Sequence, residues 1–241
     1  MSDKPVFVSL GYNCEISFRI ADYFGDLDSY LFSWSFEDSR KGFVRALSNL
    51  EDVFRGELEL CPNHMILDKK YQMRFHPRYD ILPKTGETTD EQYEQAVDEL
   101  KSRIEHLKSK TISLFNSGRE VVFIIKVESR PAENNIKYLK KVRSVLDGYQ
   151  AMPYKIIAVF EKRAVNKDIL SLEDEKLKIR TVRKFAPLKH TDIMGDMIGW
   201  HRIFREFGGL EKDSFSANVF KRRKEIIPLM VKNKIKSILG K

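Results

Sequence analysis

A cysteine at a predicted strand-to-helix junction is the residue best placed to do chemistry in this sequence. Cys14 follows residues 9–13 (SLGYN), which predict the end of a buried strand and a turn. A thiol in the first turn of a helix faces unpaired backbone N–H groups and the positive end of the helix dipole. Both favour the thiolate, which is the nucleophilic form. The same N–H groups could bind an oxyanion during acyl transfer. The simpler alternative is that Cys14 is a small buried hydrophobic residue without a catalytic role. The adjacent Glu15 would raise the pKa of the thiol if its carboxylate pointed the same way.

A nucleophilic cysteine needs a general base, which is most often a histidine. The chain offers five candidates: His64, His76, His106, His190 and His201. His76 ends a predicted strand just before a polar loop over residues 77–89, a position from which a side chain can face a site. His106 lies among charged residues of a predicted helix, which is typical of a solvated face. Sequence spacing does not select the base, because such triads assemble in space.

Other catalytic signatures are absent from the sequence. It contains no glycine-rich phosphate loop, no GxSxG, no HExxH and no CxxC pattern. Asp192 and Asp196 are four residues apart, but a solvated helix face explains that spacing better than a metal site. Cys14 and Cys61 are too few for a metal site or a disulfide framework, so we expect two free thiols in a reducing compartment. We expect no metal and no cofactor.

The elements that would position these residues alternate between strand and helix. Apolar patterning predicts strands at 6–10, 121–127, 156–160 and 177–182, the last at an edge, and helices at 14–24, 41–55, 90–116, 134–147 and 191–207. Short strands are expected within 57–76. Asn13 and Asp90 are the predicted N-caps of the first and third helices. The alternation predicts an α/β fold, a single three-layer domain over residues 1–219 with a mainly parallel sheet. In such sheets ligands bind beyond the carboxyl ends of strands, which is where residues 11–13 lie.

The charge of the chain is concentrated in a C-terminal tail. The net charge is +8, but residues 220–241 hold eight Lys or Arg and one Glu, which leaves the rest of the chain at +1. A nearly neutral body argues against a nucleic-acid-binding surface. The tail predicts a basic amphipathic helix, either packed on the domain or in peripheral contact with an anionic membrane. No apolar run reaches about 18 residues, and the N-terminal apolar segment is short for a signal peptide, so we expect a cytoplasmic protein.

Several stretches resemble a known family. Ser9 to Cys14 (SLGYNC) is similar to the N-terminal SLG-x-NC signature of a bacterial family of unknown function labelled papain-like cysteine peptidases. Residues 30–34 (YLFSW) resemble that family's YPFDW segment. Shorter similarities follow at 75–76, 103–104, 122–126 and 200–204, so the resemblance spans roughly residues 5–205.

The resemblance implies a cysteine hydrolase or acyltransferase. Cys14 would be the nucleophile and His76 its general base, with Asn13 or a backbone N–H in the oxyanion hole. Ser33 stands where the family has aspartate, so this chain either lacks a carboxylate that orients the histidine or uses Asp80 instead. Members often belong to cell-surface polysaccharide gene neighbourhoods, which implies a cytoplasmic role, at the inner face of the membrane, in glycan or glycan-phosphate assembly.

Two classes of function therefore stay open, and a scaffold without a small-molecule site is a third. In the first, a peptide, glycan or other small substrate of the cysteine enzyme binds at the carboxyl edge of the sheet, near the loop at 77–89. Its candidate contacts are Gly11, Tyr12, Trp34, Arg78 and Lys126. Packing in the core is the alternative for Trp34. The second is a glycan-handling transferase or binding module with a non-catalytic cysteine, which holds an anionic group at the turn. Its candidate anion contacts are Arg19, Arg74, Arg78, Lys126 and Arg130.

Overall fold

The computed structural model describes residues 4–12, 14–25, 28–77, 81, 88–186 and 195–208. In chain order the elements are β1 (Val6–Ser9), α1 (Glu15–Phe24), β2 (Ser35–Glu37), α2 (Arg40–Ser48), β3 (Leu58–Leu60), β4 (Ile66–Asp68), β5 (Met73–Phe75), α3 (Asp90–Phe115), β6 (Val121–Val127), α4 (Ala132–Asp147), β7 (Tyr154–Glu161), α5 (Lys167–Leu170), β8 (Leu177–Val182) and α6 (Met197–Gly208). Short 3₁₀ turns lie at Leu50–Asp52 and Lys162–Ala164. The predicted α/β class with a mainly parallel sheet is confirmed.

The parallel sheet has the strand order β1-β6-β7-β8. Its register pairs Ser9 with Ile124 and Val127 with Phe160. Every residue of β6 is buried, as expected for a central strand covered on both faces. β8 is an edge strand of this sheet, as its alternating pattern predicts.

Helices cover the two faces of the parallel sheet. On one face, Val122 and Ile124 of β6 pack with Ile16 of α1 and with Trp200 and Phe204 of α6. On the other face, the alternate residues of β6 pack in a larger core. That core also takes side chains from the other parallel strands, from α2, α3, α4 and α5, and from the antiparallel strands. The strict alternation along β6 therefore divides the apolar side chains between two cores.

A second sheet, antiparallel and four-stranded, has the order β2-β5-β4-β3. The short strands expected within 57–76 are its strands β3, β4 and β5. β2 was not predicted, because three residues give too little alternation to detect. This strand pairs Ser35 with Phe75 and ends at Glu37.

Three helix boundaries differ from the prediction. The N-cap position of α1 is Cys14, and Asn13 lies outside the described residues. α2 ends at Ser48 rather than near 55, because Asn49 leaves helical geometry with φ −144°. Thr89, not Asp90, caps α3 by accepting from the Gln92 backbone N–H, and the Gln92 side chain accepts in return from the Thr89 N–H.

Other predicted features fall on residues that the structure does not describe. They are most of the loop at 77–89, the first residues of the helix predicted to begin at 191, and the basic tail at 220–241. In the described part, α6 begins at Met197. None of the helices described combines the length and apolar composition needed to cross a bilayer.

The chain paths after β1 and β6 define where a ligand site is expected. These parallel strands are neighbours, so their carboxyl ends lie side by side. The chain after β1 enters α1 on one face of the sheet, and the chain after β6 enters α4 on the other. Such a divergence opens a crevice at the carboxyl edge of an α/β sheet, where ligands usually bind. We call this place the switch point.

Candidate functional site at the carboxyl ends of β1 and β6

The turn after β1 has an unusual backbone. Gly11 and Tyr12 both have positive φ, +75° and +72°. Glycine adopts this φ without strain, whereas the space does not demand it, since a Cβ atom on Gly11 would lie in ordinary contact with the Phe43 ring at 3.4 Å. A tyrosine in the left-handed region costs on the order of 1 kcal/mol and persists only where contacts enforce it. Those contacts come from β6 and the residues after it.

Tyr12 is held across the switch point by two groups. Its hydroxyl donates a hydrogen bond to the Glu128 carboxylate, one residue beyond the end of β6. Its ring centroid lies 5.1 Å from the Lys126 Nζ. Burial and the neighbouring Glu128 raise the pKa of Tyr12, so the phenol stays protonated and remains a donor. The strained turn is thus tied to the strand beside it.

Cys14 occupies the N-cap position of α1 with φ −70° and ψ −7°, and its side chain makes no capping hydrogen bond. The thiol is half-buried. Burial raises its pKa to about 11, and the opposing effect of its own backbone N–H is smaller. Desolvation therefore outweighs the backbone hydrogen bond that favours the thiolate. The roles of Cys14 as nucleophile and His76 as base stay predictions.

Alkylation of Cys14 should show this raised pKa directly. In a Cys61→Ser background, we expect the rate of reaction with iodoacetamide to be low at pH 7 and to rise until about pH 11. Stopped assays from pH 6 to pH 11, read by mass spectrometry, give the titration curve. A midpoint below about 7.5 would identify an activated thiol and favour the cysteine hydrolase.

Lys126, a predicted substrate contact, has an internal counter-ion. Its Nζ lies 2.8 Å from Glu15 Oε2, and the two side chains are only 4% and 3% exposed. Glu15 Oε1 also accepts from the Ala186 backbone N–H at 3.0 Å and from Trp200 Nε1 at 3.1 Å. The Lys126 ammonium lies 4.4 Å from the Phe185 ring centroid. This pair fixes the first residue of α1 against β6 and α6, and a substrate contact of Lys126 stays a prediction.

On the α4 side of the switch point lies a group of polar side chains that the sequence analysis largely missed. We call it the carboxylate–arginine cluster; its members are Tyr12, Glu37, Arg40, Glu128, Arg130, Asn135 and Tyr138. The turn after β1, the end of β2, the start of α2, the loop after β6 and α4 contribute them. Only Tyr12 and Arg130 were among the predicted contacts. The position of Glu128 directly after a buried parallel strand was a usable signal.

Hydrogen bonds connect the cluster from β2 to α4. The Tyr138 hydroxyl donates to Glu37, at 3.1 Å from Oε2. Arg40 Nη1 donates to Asn135 Oδ1 at 2.7 Å, and its guanidinium lies 4.6 Å from the Tyr138 ring centroid. Asn135 Nδ2 lies 3.3 Å from the Glu128 carbonyl oxygen. The loop after β6 is thereby fastened to the first turns of α2 and α4.

The two carboxyl groups of the cluster have opposite environments. Burial raises the pKa of Glu37 to about 8, and the charge of Glu128 adds to this effect. Hydrogen bonding by Tyr138 and the charge of Arg40 act against it. For Glu128, burial acts to raise the pKa, but hydrogen bonds from Tyr12 and Arg130 outweigh it, so the pKa is lowered. At neutral pH, Glu37 therefore keeps its proton and Glu128 is ionised.

The remaining predicted site residues pack against β2 and α1 or lie outside the described residues. The His76 ring packs edge-on against Phe36 at 5.5 Å, and its backbone oxygen accepts from Arg103. Trp34 packs edge-on against Phe18 at 5.2 Å and donates to Ser29 Oγ. Arg78 and Asp80 lie outside the described residues, as Asn13 does.

The other histidines and arginines take ordinary places. His106 is exposed on α3, as predicted, and burial lowers the pKa of His201 in α6. Arg74 pairs with Asp38 and Arg19 with Asp22. Within the described ranges, no group of three or more His, Cys, Asp or Glu side chains is arranged to hold a metal ion.

Comparison with protein-family models, with curated proteins and with solved structures found no match to this chain. The resemblance to the cysteine-peptidase family stays a prediction.

Proposed function

We propose that this chain is a glycan-handling enzyme that cleaves or transfers a glycosidic bond by general acid–base catalysis at the switch point. The observation that carries the proposal is the pair of carboxyl groups in the carboxylate–arginine cluster: Glu37, which accepts a hydrogen bond from the Tyr138 hydroxyl, and Glu128, which accepts from Tyr12 and Arg130. Two carboxyl groups whose environments drive their protonation apart are the usual equipment for glycoside chemistry. Carboxylate and phenol oxygens also suit hydroxyl-rich ligands.

In the proposed reaction, Glu37 is the acid and Glu128 the base. Glu37 donates its proton to the glycosidic oxygen as the carbon–oxygen bond breaks. The attacking hydroxyl, from water or a sugar acceptor, forms the new bond and passes its proton to Glu128. One proton leaves Glu37 and one arrives at Glu128, and exchange with solvent restores both groups. Tyr12 and Arg130 hold the Glu128 carboxylate in place, and the Tyr138 hydroxyl holds Glu37.

A panel of aryl glycosides and activated sugar donors, assayed from pH 5 to pH 10, tests this proposal. Glu37→Gln should lower turnover by about 10²–10⁴-fold, the usual contribution of a general acid. Wild-type activity should fall as pH rises above about 8, because Glu37 then loses the proton that it donates. Cys14→Ser should retain activity.

Glu59→Gln is the matched control, since Glu59 is an exposed carboxylate of β3. It should leave turnover unchanged. Turnover that survives in Glu37→Gln would contradict the acid–base assignment. Wild-type protein that neither binds nor converts any sugar of the panel would overturn the proposal as a whole.

The cysteine hydrolase is the second candidate, favoured by the place of Cys14 at the start of a ten-residue helix beside the switch point. In that reaction the Cys14 sulfur would attack a carbonyl carbon and His76 would transfer the proton to the leaving group. Loss of all activity in Cys14→Ser, with activity retained in Glu37→Gln, would select this candidate.

The proposal includes a cytoplasmic location with the tail at 220–241 in contact with the inner face of the membrane. Its support is the charge of that tail, eight Lys or Arg against one Glu. Such a segment would keep the enzyme near a membrane-bound glycan precursor.

A further inference from the structure

Arg40 has an unsatisfied donor in the carboxylate–arginine cluster. Its Nη1 is bonded to Asn135, but its Nη2 is buried and has no hydrogen-bond partner among the described residues. Asn135 cannot turn to serve it, because that side chain is fully buried and its Nδ2 faces the Glu128 and Arg130 carbonyl oxygens. A buried charged donor without an acceptor is costly, and an acceptor from a ligand would relieve that cost.

The charges around Arg40 leave it without a full counter-ion at neutral pH. The groups that act on it are Glu37, Glu128, Arg130 and Tyr138. Glu128 already accepts from Arg130, at 2.9 Å from Nη2, and from Tyr12. Glu37 is protonated below about pH 8, and Tyr138 is neutral since burial raises its pKa well above the usual range. Two guanidinium groups thus share one carboxylate.

We infer that Arg40, together with the half-exposed Arg130, binds an oxyanion of the substrate, either a phosphate or a carboxylate group attached to a sugar. That the ligand is a sugar rests on the proposed function. That it carries an anionic group rests on the geometry of the carboxylate–arginine cluster. The Arg40 Nη2 donates to one oxygen of the anion. Guanidinium groups suit both phosphate and carboxylate because their planar N–H groups match the spacing of the oxygens.

Anion binding is coupled to the proton on Glu37. An anion at Arg40 would be repelled by an ionised Glu37, so the bound state favours the neutral carboxyl. The groups that face Glu37 are Tyr138, Arg40, Glu128, Arg130 and Tyr12. Affinity for the anion should therefore fall as pH rises through about 8, by at most about tenfold per pH unit because one proton is involved.

Titration calorimetry without turnover tests the inference. The probes are inorganic phosphate, glucose, glucose 1-phosphate and glucuronate, each at pH 6.5 and pH 9. We expect glucose 1-phosphate or glucuronate to bind at least about tenfold more tightly than glucose, and the tighter of the two identifies the anion. The preference for the anionic sugar over glucose should be smaller at pH 9 than at pH 6.5. In Glu37→Gln this preference should not depend on pH.

Two arginine variants and a matched control complete the test. Arg40→Gln and Arg130→Gln should each weaken binding of the anionic sugar by about tenfold or more. Arg130 is 49% exposed, so its variant should fold even if Arg40→Gln does not. The control is Arg163→Gln, because Arg163 follows β7 and pairs with Glu161 as Arg130 follows β6 and pairs with Glu128. It should bind like the wild type.

Equal affinity for charged and neutral sugars, or unchanged affinity in both arginine variants, would overturn the anion site. These outcomes are separable from failure of the acid–base proposal, which shows as turnover retained in Glu37→Gln. An anion site that survives such a failure would belong to a binding module.

Discussion

Replacement of Lys126 by methionine is expected to lower the free energy of unfolding by about 3–5 kcal/mol, the usual cost of removing one partner from a buried ion pair. The pair with Glu15 is almost inaccessible to water, with both side chains below 5% exposed. Without the ammonium, the Glu15 carboxylate loses its charged partner Lys126, and the donors at Ala186 and Trp200 are neutral. A buried carboxylate that has lost its counter-ion is poorly compensated, so the folded state loses stability.

A double-mutant cycle separates the charge from the packing. Glu15→Gln with Lys126→Met removes both charges and should recover much of the stability that Lys126→Met loses. Lys155→Met is the control, since Lys155 pairs with Glu120 on the surface, where side-chain exposures are 41% and 39%. It should change stability by at most about 1 kcal/mol. Urea denaturation followed by circular dichroism gives each value. A loss below about 1 kcal/mol for Lys126→Met would mean that water reaches the pair.

The location of the switch point could be predicted from the sequence, because it follows from local patterns. A buried strand, a glycine turn and an amphipathic helix place residues 11–14 at the carboxyl edge of a parallel sheet, and the structure has that arrangement. The lysine within the apolar run of β6 was also visible in the sequence. Its partner was not, since Glu15 precedes it by 111 residues and meets it only when β1 and β6 pair.

The chemistry of the site could not be predicted, because it depends on burial and on contacts between distant elements. The helix position of Cys14 indicates a lowered thiol pKa, yet burial reverses the direction. Glu37 stands at the end of a three-residue strand, and its environment comes from Tyr138, which is 101 residues away. No periodicity marks such a pair, so only the tertiary structure assigns Glu37 and Arg40 to the switch point.

The stability of the folded protein should decline from pH 5 to pH 8 through Glu37, and Glu37→Gln should remove this decline. An unfolded chain loses the Glu37 proton near the ordinary pKa of 4.5, whereas the folded protein keeps it to about pH 8. Between these values the folded state binds more protons than the unfolded state, so the free energy of unfolding falls as pH rises. The stabilising proton is fully bound in the folded state below about pH 4.5 and is lost as pH passes through 8.

Burial raises the pKa of Glu37 from 4.5 to about 8 on folding. With allowance for the partial exposure of this side chain, its proton contributes about 3 kcal/mol or more to the free energy of unfolding. Glutamine is uncharged at every pH. The variant should therefore match the wild type near pH 4.5 and become progressively more stable than it up to about pH 8, with a constant difference above. Urea denaturation at intervals of one pH unit measures the difference, and Glu59→Gln should show no such trend.

A difference in free energy of unfolding that stays flat from pH 4.5 to pH 8.5 would mean that Glu37 ionises like a surface carboxylate. Glu37 would then be unprotonated at neutral pH, and the proposed reaction would have no acid.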